Sequence, residues 1–240
     1  MKLLLISNST NAGDSYLRHP KEQIGKFLKP VFDQVLFIPY AAVTFSYDDY
    51  EKKVQERFGE LGIGVESIHH YGSPVEAVEA ARAIIIGGGN TWQLTRCLHD
   101  FNLIDAIREK VLTGTPFVGW SAGANVACPT IRTTNDMPII DPVGLYAFNF
   151  VPFQINPHYL DEHPEGHAGE TREQRILEFI EINPDLYVVG LREGTMLEIR
   201  NRKIELIGPR PARIFRKGRS PFEVSPGGDL GFLMEPNNSF

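Results

Sequence analysis

The sequence predicts an α/β protein with a doubly wound, mostly parallel sheet that helices cover on both faces. Its apolar runs are continuous rather than alternating, which is typical of strands buried on both faces. Stretches of helical length separate these runs, as the crossover connections of a parallel sheet require. Two glycine-rich turns, at 87–89 and 119–123, directly follow such runs, and the ligand site of this class lies beyond the carboxyl ends of the strands.

The first half of the chain alternates between strands and helices. Residues 2–6 form a leucine- and isoleucine-rich strand, which the turn-prone segment 7–13 ends. Further strands are predicted at 34–39, 65–69, 82–86 and in a run that closes at 117–118. Helices are predicted at 19–28, 47–61, 74–81, 91–99 and 104–112. This alternation favours one parallel sheet.

The second half adds two buried strands, one helix and a group of hairpins. The strands are a run at 148–155, which Asn156-Pro157 ends, and a run at 187–191. The helix spans 172–182. After about residue 194 the pattern changes and predicts antiparallel hairpins at one edge of the sheet, from the segments 196–200, 203–207 and 212–216.

The composition limits the class of protein. With 240 residues, 42% of them hydrophobic, the chain can bury one sizeable core, and we expect residues 1–240 to form a single domain. The net charge of -6 argues against nucleic acid or an anionic membrane surface as partner. No stretch is apolar enough to span a bilayer, and the run at 3–6 is too short for a secretory signal. Cys97 and Cys128 form no metal-binding spacing, so we expect a reduced, cytoplasmic setting.

A candidate nucleophile stands in the second glycine turn. Residues 119–123 follow the Gly-x-Ser-x-Gly pattern, and small helix-forming residues continue from it. So sharp a strand-to-helix turn predicts a positive φ at Ser121 and places its hydroxyl at the positive end of a helix. The same short pattern also occurs by chance in turns of small residues, but its strand-turn-helix context favours a catalytic serine.

A nucleophilic serine needs a base, and three histidines follow it in the chain. His158 comes just after the predicted strand 148–155, whereas His163 and His167 lie in a polar loop. Placement at a strand end favours His158, although a lone histidine is more often a structural residue. The loop at 161–167 also holds acidic residues, but its spacing matches no zinc signature, so we expect no metal.

For the acid, two assignments stay open. Glu193 lies just past a predicted strand, so it would share one edge of one sheet with the serine and with His158. The order found in ordinary α/β-hydrolases would instead pair His167 with Asp136 or Asp141. Placement at a strand end favours Glu193.

The first glycine turn, 87–89, has two interpretations. A dinucleotide fingerprint needs a further glycine where Trp92 stands, so a nucleotide cofactor is disfavoured. Beside the elbow, the turn can aim a backbone N–H of Gly88 or Gly89 at a developing oxyanion, with the N–H of Ala122 as the second donor. We therefore expect an oxyanion hole and no cofactor.

Arg172 lies at a helix position that is unfavourable for a cation. A capping box begins the predicted helix 172–182 at Thr171, which places Arg172 in the first turn, where the helix dipole disfavours a cation. Glu170 and Glu173 could compensate its charge. Alternatively, the guanidinium and the helix N-terminus together hold a carboxylate, which predicts an acidic substrate side chain.

Several segments together resemble one family closely: peptidase E, the α-aspartyl dipeptidases. The matching segments span most of the chain and are residues 3–10, 86–91, 119–125, 128–139, 154–158 and 169–175. The resemblance implies a Ser-His-Glu triad at Ser121, His158 and Glu193, on a fold similar to class I glutamine amidotransferase domains. It also implies that Asn90 and Arg172 lie around the aspartyl group of the substrate.

We therefore expect a serine exopeptidase that acts on small acidic peptides, hydrolysing dipeptides with N-terminal aspartate without cofactor or metal. The chain departs from the family at Arg192, where a proline is usual, and diverges more after Ile199. We expect a monomer or a small homo-oligomer, with neither nucleic acid nor membrane as partner. The alternatives are a cyanophycinase-like β-aspartyl serine peptidase, which shares the elbow, and a non-catalytic carboxylate-binding protein.

Overall fold

A computed structural model of the chain describes residues 1–29, 34–161 and 169–235. Within them the helices are α1 (Lys21–Leu28), α2 (Tyr47–Gly59), α3 (Pro74–Ala80), α4 (Thr91–Asp100), α5 (Leu103–Leu112), α6 (Ala122–Asn125) and α7 (Arg172–Ile182). The strands are β1 (Lys2–Ile6), β2 (Gln34–Ile38), β3 (Gly64–Ser67), β4 (Ile84–Ile86), β5 (Phe117–Trp120), β6 (Gln154–Tyr159), β7 (Val188–Arg192), β8 (Met196–Arg200), β9 (Lys203–Ile207), β10 (Ala212–Phe215) and β11 (Phe222–Val224). A short 3-10 turn, Ile68–His70, follows β3. None of these helices combines the length and the apolar character that crossing a bilayer requires.

The strands β1 to β5 form the parallel part of the larger sheet, whose order is β3-β2-β4-β5-β1-β8-β9. β1 lies against β5 with Leu5 opposite Gly119, and β4 lies on the other side of β5 with Ile86 opposite the same glycine. The carboxyl ends of β1, β4 and β5 therefore meet at one edge of the sheet. β8 and β9 extend the sheet as antiparallel strands beyond β1.

Alternate residues of these strands pack against helices on opposite faces of the sheet. One cluster of buried side chains joins Leu3 and Leu5 of β1 to α3, α4 and α5. A second cluster joins Leu4 and Ile6, on the other face of the same strand, to α1 and α2. Helices therefore cover both faces, which confirms the predicted doubly wound α/β class.

The strands β6, β7, β10 and β11 form a separate, smaller sheet of order β11-β10-β7-β6. It contributes Ile155 and Val189 to the first cluster, and its outer face packs against α7. The expectation that one sheet carries all three candidate catalytic residues is therefore wrong. Ser121 follows a strand of the larger sheet, whereas His158 and Glu193 come from the smaller one. An apolar run indicates that a strand is buried, but it does not specify the neighbouring strand.

The predicted strand at 148–155 is also wrong in its bounds. The segment 148–153 is a buried loop, in which Phe148 and Phe150 pack against Phe117. The strand β6 begins at Gln154 and continues through Asn156-Pro157. Proline is tolerated there because β6 is the outermost strand of its sheet, where the missing N–H interrupts fewer ladder bonds.

The prediction of C-terminal hairpins at one edge holds for one pair of strands. β8 and β9 form the predicted hairpin at the edge of the larger sheet. The expectation that 212–216 lies at the same edge is wrong, because β10 pairs with β7 and β11 in the smaller sheet. Tertiary pairing, rather than the local pattern, decides which sheet a short strand joins.

Candidate active site

Ser121 alone makes the turn between β5 and α6. Its φ of 55° and ψ of -112° confirm the predicted positive φ. The flanking glycines allow so close an approach of strand and helix, since a Cβ on Gly119 would lie 2.2 Å from the carbonyl oxygen of Gly123. The N–H of Ser121 donates to the carbonyl of Ile6 on β1 (3.0 Å), which fixes the turn against the sheet.

Three of the predicted site residues form one chain of hydrogen bonds. The Nε2 atom of His158 lies 2.9 Å from the Oγ atom of Ser121. The Nδ1 atom of the same ring lies 2.8 Å from Oε1 of Glu193. Because an ionised carboxylate only accepts hydrogen bonds, Nδ1 carries the ring proton and Nε2 is left to accept the proton of the serine. This is the tautomer that a general base acting on serine needs.

His158 lies inside β6 rather than beyond its end. The register between β6 and β7 shifts between Pro157 and Tyr159, and His158 occupies this bulge with a φ of 53°. A positive φ costs a residue with a Cβ roughly 1–3 kcal/mol. A bulge re-aims the side chain that it carries. The site thus holds two residues with unfavourable backbone conformations, the serine and the histidine.

Ser7, the first residue after β1, holds this bulge in place. Its buried hydroxyl accepts from the N–H of His158 (3.0 Å) and donates to the carbonyl of Leu191 on β7 (2.6 Å). The hydroxyl therefore lies between two backbone groups of neighbouring strands in the smaller sheet. A side chain of the larger sheet thereby fixes the backbone of the histidine. The sequence patterns did not predict this role, and their one signal was a hydroxyl directly after a buried strand.

The turn that carries the acid is fixed by residues on both sides of it. Asn8 accepts at Oδ1 from the N–H of Gly194 (2.8 Å), so the loop after β1 also holds the turn that follows Glu193. On the other side, the buried Arg192 forms ion pairs with two carboxylates, Asp161 and Glu223. Arg192 therefore anchors the chain by ion pairs at the residue before Glu193.

The predicted oxyanion donors lie on two turns beside the serine. A Cβ on Gly88 would lie 3.0 Å from the Cβ of Ser121, so the first glycine turn touches the elbow. The carbonyl of Ser121 accepts from two N–H groups inside α6, and the N–H of Ala122, in the same peptide, therefore points away from that helix. Within the described residues, the N–H groups of Gly88, Gly89 and Ala122 have no hydrogen-bond acceptor.

A cavity of ≈ 280 Å³ opens beside the serine. Its lining combines the hydrogen-bonded chain with polar groups of the 134–136 segment and one cation. The lining residues are Ser121, Thr134, Asn135, Asp136, Pro157, His158, Leu160, Arg172 and Glu193. A cavity of this size holds a small ligand rather than an extended chain.

Arg172 is the cation of this cavity, at the first position of α7, whose predicted bounds and capping box are confirmed. The two acids next to it do not compensate its charge. Glu173 pairs with Arg213 (2.8 Å), and Glu170 lies 3.7 Å from Arg175. In residues 1–29, 34–161 and 169–235, no carboxylate forms an ion pair with Arg172, and burial lowers the pKa of its guanidinium. A half-buried cation of this kind favours an anionic ligand.

Asn90 and Asp136 tie the 134–137 segment to the start of α4. Asn90 accepts at Oδ1 from the N–H of Gln93 (3.1 Å) and donates from Nδ2 to the carbonyl of Met137 (2.9 Å). Asp136 accepts at Oδ2 from the N–H and the hydroxyl of Thr91 (2.8 and 2.6 Å). Asp136 lines the cavity, and Asn90 is not among the described residues that do.

Cys128, close to the elbow, is a buried thiol. Its Sγ accepts from the N–H of Ile155 (3.1 Å), and burial raises its pKa to about 12. The thiol is therefore uncharged at neutral pH and is a weak nucleophile there.

Some of the sequence alternatives fall outside the described residues. They are His163 or His167 as the base, the pairing of His167 with Asp136 or Asp141, and the zinc interpretation of the 161–167 loop.

A different group of potential metal ligands stands apart from the residues that line the cavity. Asp48, Glu51, His69 and His70 place one ligand atom each within 4.8 Å of one another. Pairs within the group already match these atoms: His69 lies 2.8 Å from Asp48, and His70 lies 2.6 Å from Glu51. Two histidine–carboxylate hydrogen bonds between α2 and the 3-10 turn thus account for this cluster.

Comparison with known sequences identifies the family. The model of peptidase family S51 matches residues 3–207 of this chain. A protein named Peptidase E from Nostoc sp. is 50% identical over 234 residues, which cover 98% of this chain and 97% of that protein. Peptidase E of Salmonella paratyphi A is 45% identical over 227 residues, which cover 95% of this chain and 99% of that protein.

Two solved structures are similar in fold. A peptidase from an acI-B1 actinobacterium has a TM-score of 0.66 at 19% identity, with 95% of this chain and 96% of that chain covered. A putative Peptidase E from Listeria monocytogenes has a TM-score of 0.65 at 22% identity, with 87% and 98% covered. These structures support the fold, and the sequence matches over nearly the whole length carry the assignment. The chain belongs to peptidase family S51.

Proposed function

We propose that this S51 peptidase is a serine exopeptidase that hydrolyses dipeptides with an N-terminal aspartate. One observation carries the proposal. The hydrogen-bonded chain from Glu193 through His158 to Ser121 ends in the cavity that Arg172 also lines. An activated serine suits acyl transfer, and a guanidinium without a carboxylate partner in the described chain suits a substrate carboxylate next to the scissile bond.

In the first half of the reaction, Ser121 forms an ester with the aspartyl residue. The Oγ attacks the carbonyl carbon while Nε2 of His158 takes the serine proton. The carbonyl oxygen becomes an oxyanion, to which N–H groups of Gly88 or Gly89 and of Ala122 donate. The C–N bond then breaks, His158 gives its proton to the leaving amine, and the aspartyl ester remains.

The second half repeats these steps with water. His158 takes a proton from the water that attacks the ester carbonyl, and returns it to Ser121 as the C–O bond breaks and aspartate leaves. Glu193 keeps the imidazole in the required tautomer and stabilises the imidazolium that forms in both halves.

Recognition of the N-terminal residue follows from the charges at the cavity. Arg172 binds the side-chain carboxylate of aspartate, and Asp136 offers a carboxylate to the α-ammonium group. Asn90, which borders the same segment, is the remaining candidate contact for the aspartyl group. A cavity of ≈ 280 Å³ suits one such residue, which supports cleavage at the N-terminus.

A panel of dipeptides tests this function. The parent should cleave Asp-Leu much faster than Asn-Leu or Glu-Leu, and Ser121→Ala should abolish turnover. Arg172→Met, which keeps most of the apolar part of the side chain and removes the guanidinium, should lower kcat/KM for Asp-Leu by about a hundredfold and change Asn-Leu little, since a lost partner of a charged hydrogen bond costs about 2–5 kcal/mol. Equal losses on both peptides would remove the carboxylate contact from the proposal.

The same panel separates the alternatives. Preference for a β-linked over an α-linked aspartyl dipeptide would indicate the cyanophycinase-like activity instead. A Ser121→Ala variant that turns over Asp-Leu as fast as the parent would exclude the serine mechanism, and a parent that binds Asp-Leu without cleaving it would indicate a carboxylate-binding protein.

A further inference from the structure

We propose that Tyr50 is a positioning residue that aims the N–H of Gly89 at the oxyanion formed at Ser121. Tyr50 lies on α2, outside every segment that the sequence patterns assigned to the site. This inference rests on the proposed serine mechanism. It adds the reason why the N–H of Gly89 points toward the oxyanion.

The hydrogen bonds around Tyr50 determine where its single proton goes. Its hydroxyl lies 2.8 Å from the carbonyl oxygen of Gly88 and 3.3 Å each from Nε1 of Trp120 and the hydroxyl of Tyr16. An indole N–H only donates, so the Tyr50 oxygen accepts from Trp120. Tyr16 also donates to this oxygen, so the proton of Tyr50 is free for the carbonyl of Gly88. Burial raises the pKa of Tyr50 to about 12, which keeps this proton in place at neutral pH.

The bond to Gly88 sets the orientation of a peptide group. In a trans peptide the C=O and N–H point in opposite directions, so a Gly88 carbonyl held toward Tyr50 turns the N–H of Gly89 the other way. The backbone at Gly88 touches the elbow, where a Cβ would lie 3.0 Å from the Cβ of Ser121. A donor on this peptide is therefore close to the side chain of Ser121.

The peptide needs such a restraint because glycine lies on both sides of it. Glycine populates positive and negative φ about equally, and Gly89 itself has a φ of 140°. On the far side the turn is already fixed, since the N–H of Asn90 donates to the carbonyl of Ala41 (2.9 Å). On the near side, among the described residues, the hydroxyl of Tyr50 fixes the Gly88 carbonyl by a hydrogen bond.

Trp120 couples this restraint to the nucleophile. It is the last residue of β5 and immediately precedes Ser121. Its fully buried ring donates to the same Tyr50 oxygen that binds the glycine turn. One phenol hydroxyl therefore joins the strand that carries the serine to the turn that carries the donor.

Steady-state kinetics of Tyr50→Phe on Asp-Leu provide the main test. We expect kcat to fall by about tenfold or more with KM nearly unchanged, because loss of an oxyanion donor affects the transition state and typically costs about a hundredfold. The matched control is Tyr40→Phe, which removes a hydroxyl from another buried tyrosine and should leave kcat within about twofold of the parent.

Binding of a transition-state analogue provides a measurement that a purely structural role of Tyr50 would leave unchanged. The α-aminoboronic acid analogue of aspartate forms a bond from boron to the serine oxygen, and the tetrahedral adduct carries a negative charge. Tyr50→Phe should weaken binding of this boronate by the same factor as kcat and leave binding of the product aspartate unchanged. Parallel losses in boronate and aspartate binding would overturn the proposal, as would an unchanged kcat.

A measurement on the parent covers the case in which Tyr50→Phe does not fold. With glycine labelled by 13C at the carbonyl and 15N at the amide, only peptides between adjacent glycines show the 13C–15N coupling, which limits the signals to Gly88, Gly89 and Gly228. The amide proton of Gly89 should move downfield when the boronate binds, and that of Gly228 should stay. An unmoved Gly89 signal in a boronate-bound enzyme would overturn the role of Tyr50. A parent that neither cleaves Asp-Leu nor binds the boronate would instead overturn the proposed function itself, and the inference with it.

Discussion

The substitution Ser7→Ala tests whether a side chain of the larger sheet positions the histidine of the smaller one. Ser7 is fully buried, and its hydroxyl accepts from the N–H of His158 and donates to the carbonyl of Leu191. Alanine removes both bonds and leaves almost the same volume filled. The N–H of His158 and the carbonyl of Leu191 then have two possible outcomes. Either both stay without a partner, or they form a hydrogen bond with each other and close the bulge.

The expected magnitudes follow from these two outcomes. A buried polar group without a partner costs about 1–3 kcal/mol, and direct pairing of the two backbone groups would recover part of the sum. We therefore expect the free energy of unfolding to fall by about 2 kcal/mol, which lowers the melting temperature by about 4–8 °C for a chain of this size. Closing the bulge would move the imidazole of His158 by roughly 1 Å, a displacement that typically costs about a hundredfold in rate.

Kinetics with Asp-Leu and urea unfolding measure the two effects separately. Ser9→Ala is the matched control, because it also removes a hydroxyl from the segment after β1. The Ser9 hydroxyl contacts only the hydroxyl of the adjacent Thr10 among the described residues. We expect this control to match the parent in both assays. If Ser7→Ala keeps kcat/KM within about twofold of the parent, the hydroxyl does not position the histidine, and the reasoning from the bulge is refuted.

Further predictions concern the acid, the elbow and an ion pair. Glu193→Gln should lower kcat by about a hundredfold or more with little effect on KM, because an amide can stabilise the wrong imidazole tautomer; unchanged kcat would remove Glu193 from the mechanism. Gly123→Ala should yield little folded protein, or protein destabilised by about 1–3 kcal/mol, because a Cβ would lie 2.2 Å from the carbonyl oxygen of Ile86, and a parent-like urea midpoint would contradict this. Glu51 raises the pKa of His70 in the folded protein. His70→Ala should therefore reduce the free energy of unfolding most below about pH 6, where the imidazole is charged in both the folded and the unfolded state. This loss should become smaller as the pH rises through the raised pKa. Urea midpoints across this range check the last prediction, which a deficit that grows with pH would contradict.

The features with local causes were predictable from the sequence. The helix α7 has the predicted bounds because a capping box begins it and Asn183-Pro184 ends it, and both signals lie within a few residues. The positive φ of Ser121 followed from two glycines around one residue in a sharp turn. The parallel orientation of β1 to β5 followed from alternating strands and helices, because neighbouring parallel strands need a crossover connection, usually a helix.

The pairing of the later strands was not predictable in the same way. The apolar run at 148–155 predicts a strand, but the rings of Phe148 and Phe150 pack in a loop. The actual strand passes through Pro157, which an outer strand tolerates and a central one does not. Whether a strand is outermost depends on partners far away along the chain, which no local pattern contains.

The sequence by itself determined the chemical inventory of this protein: a serine on a strained turn, a histidine, an acid, and an arginine at a helix start. Only the tertiary structure decided how they come together, because the serine and the histidine belong to different sheets. The hydroxyls of Ser7 and Tyr50, which fix the backbone around the site, form hydrogen bonds to backbone atoms more than 35 residues away in sequence. Such bonds depend on distance in space, which follows from the packing of the whole chain rather than from the order of its residues.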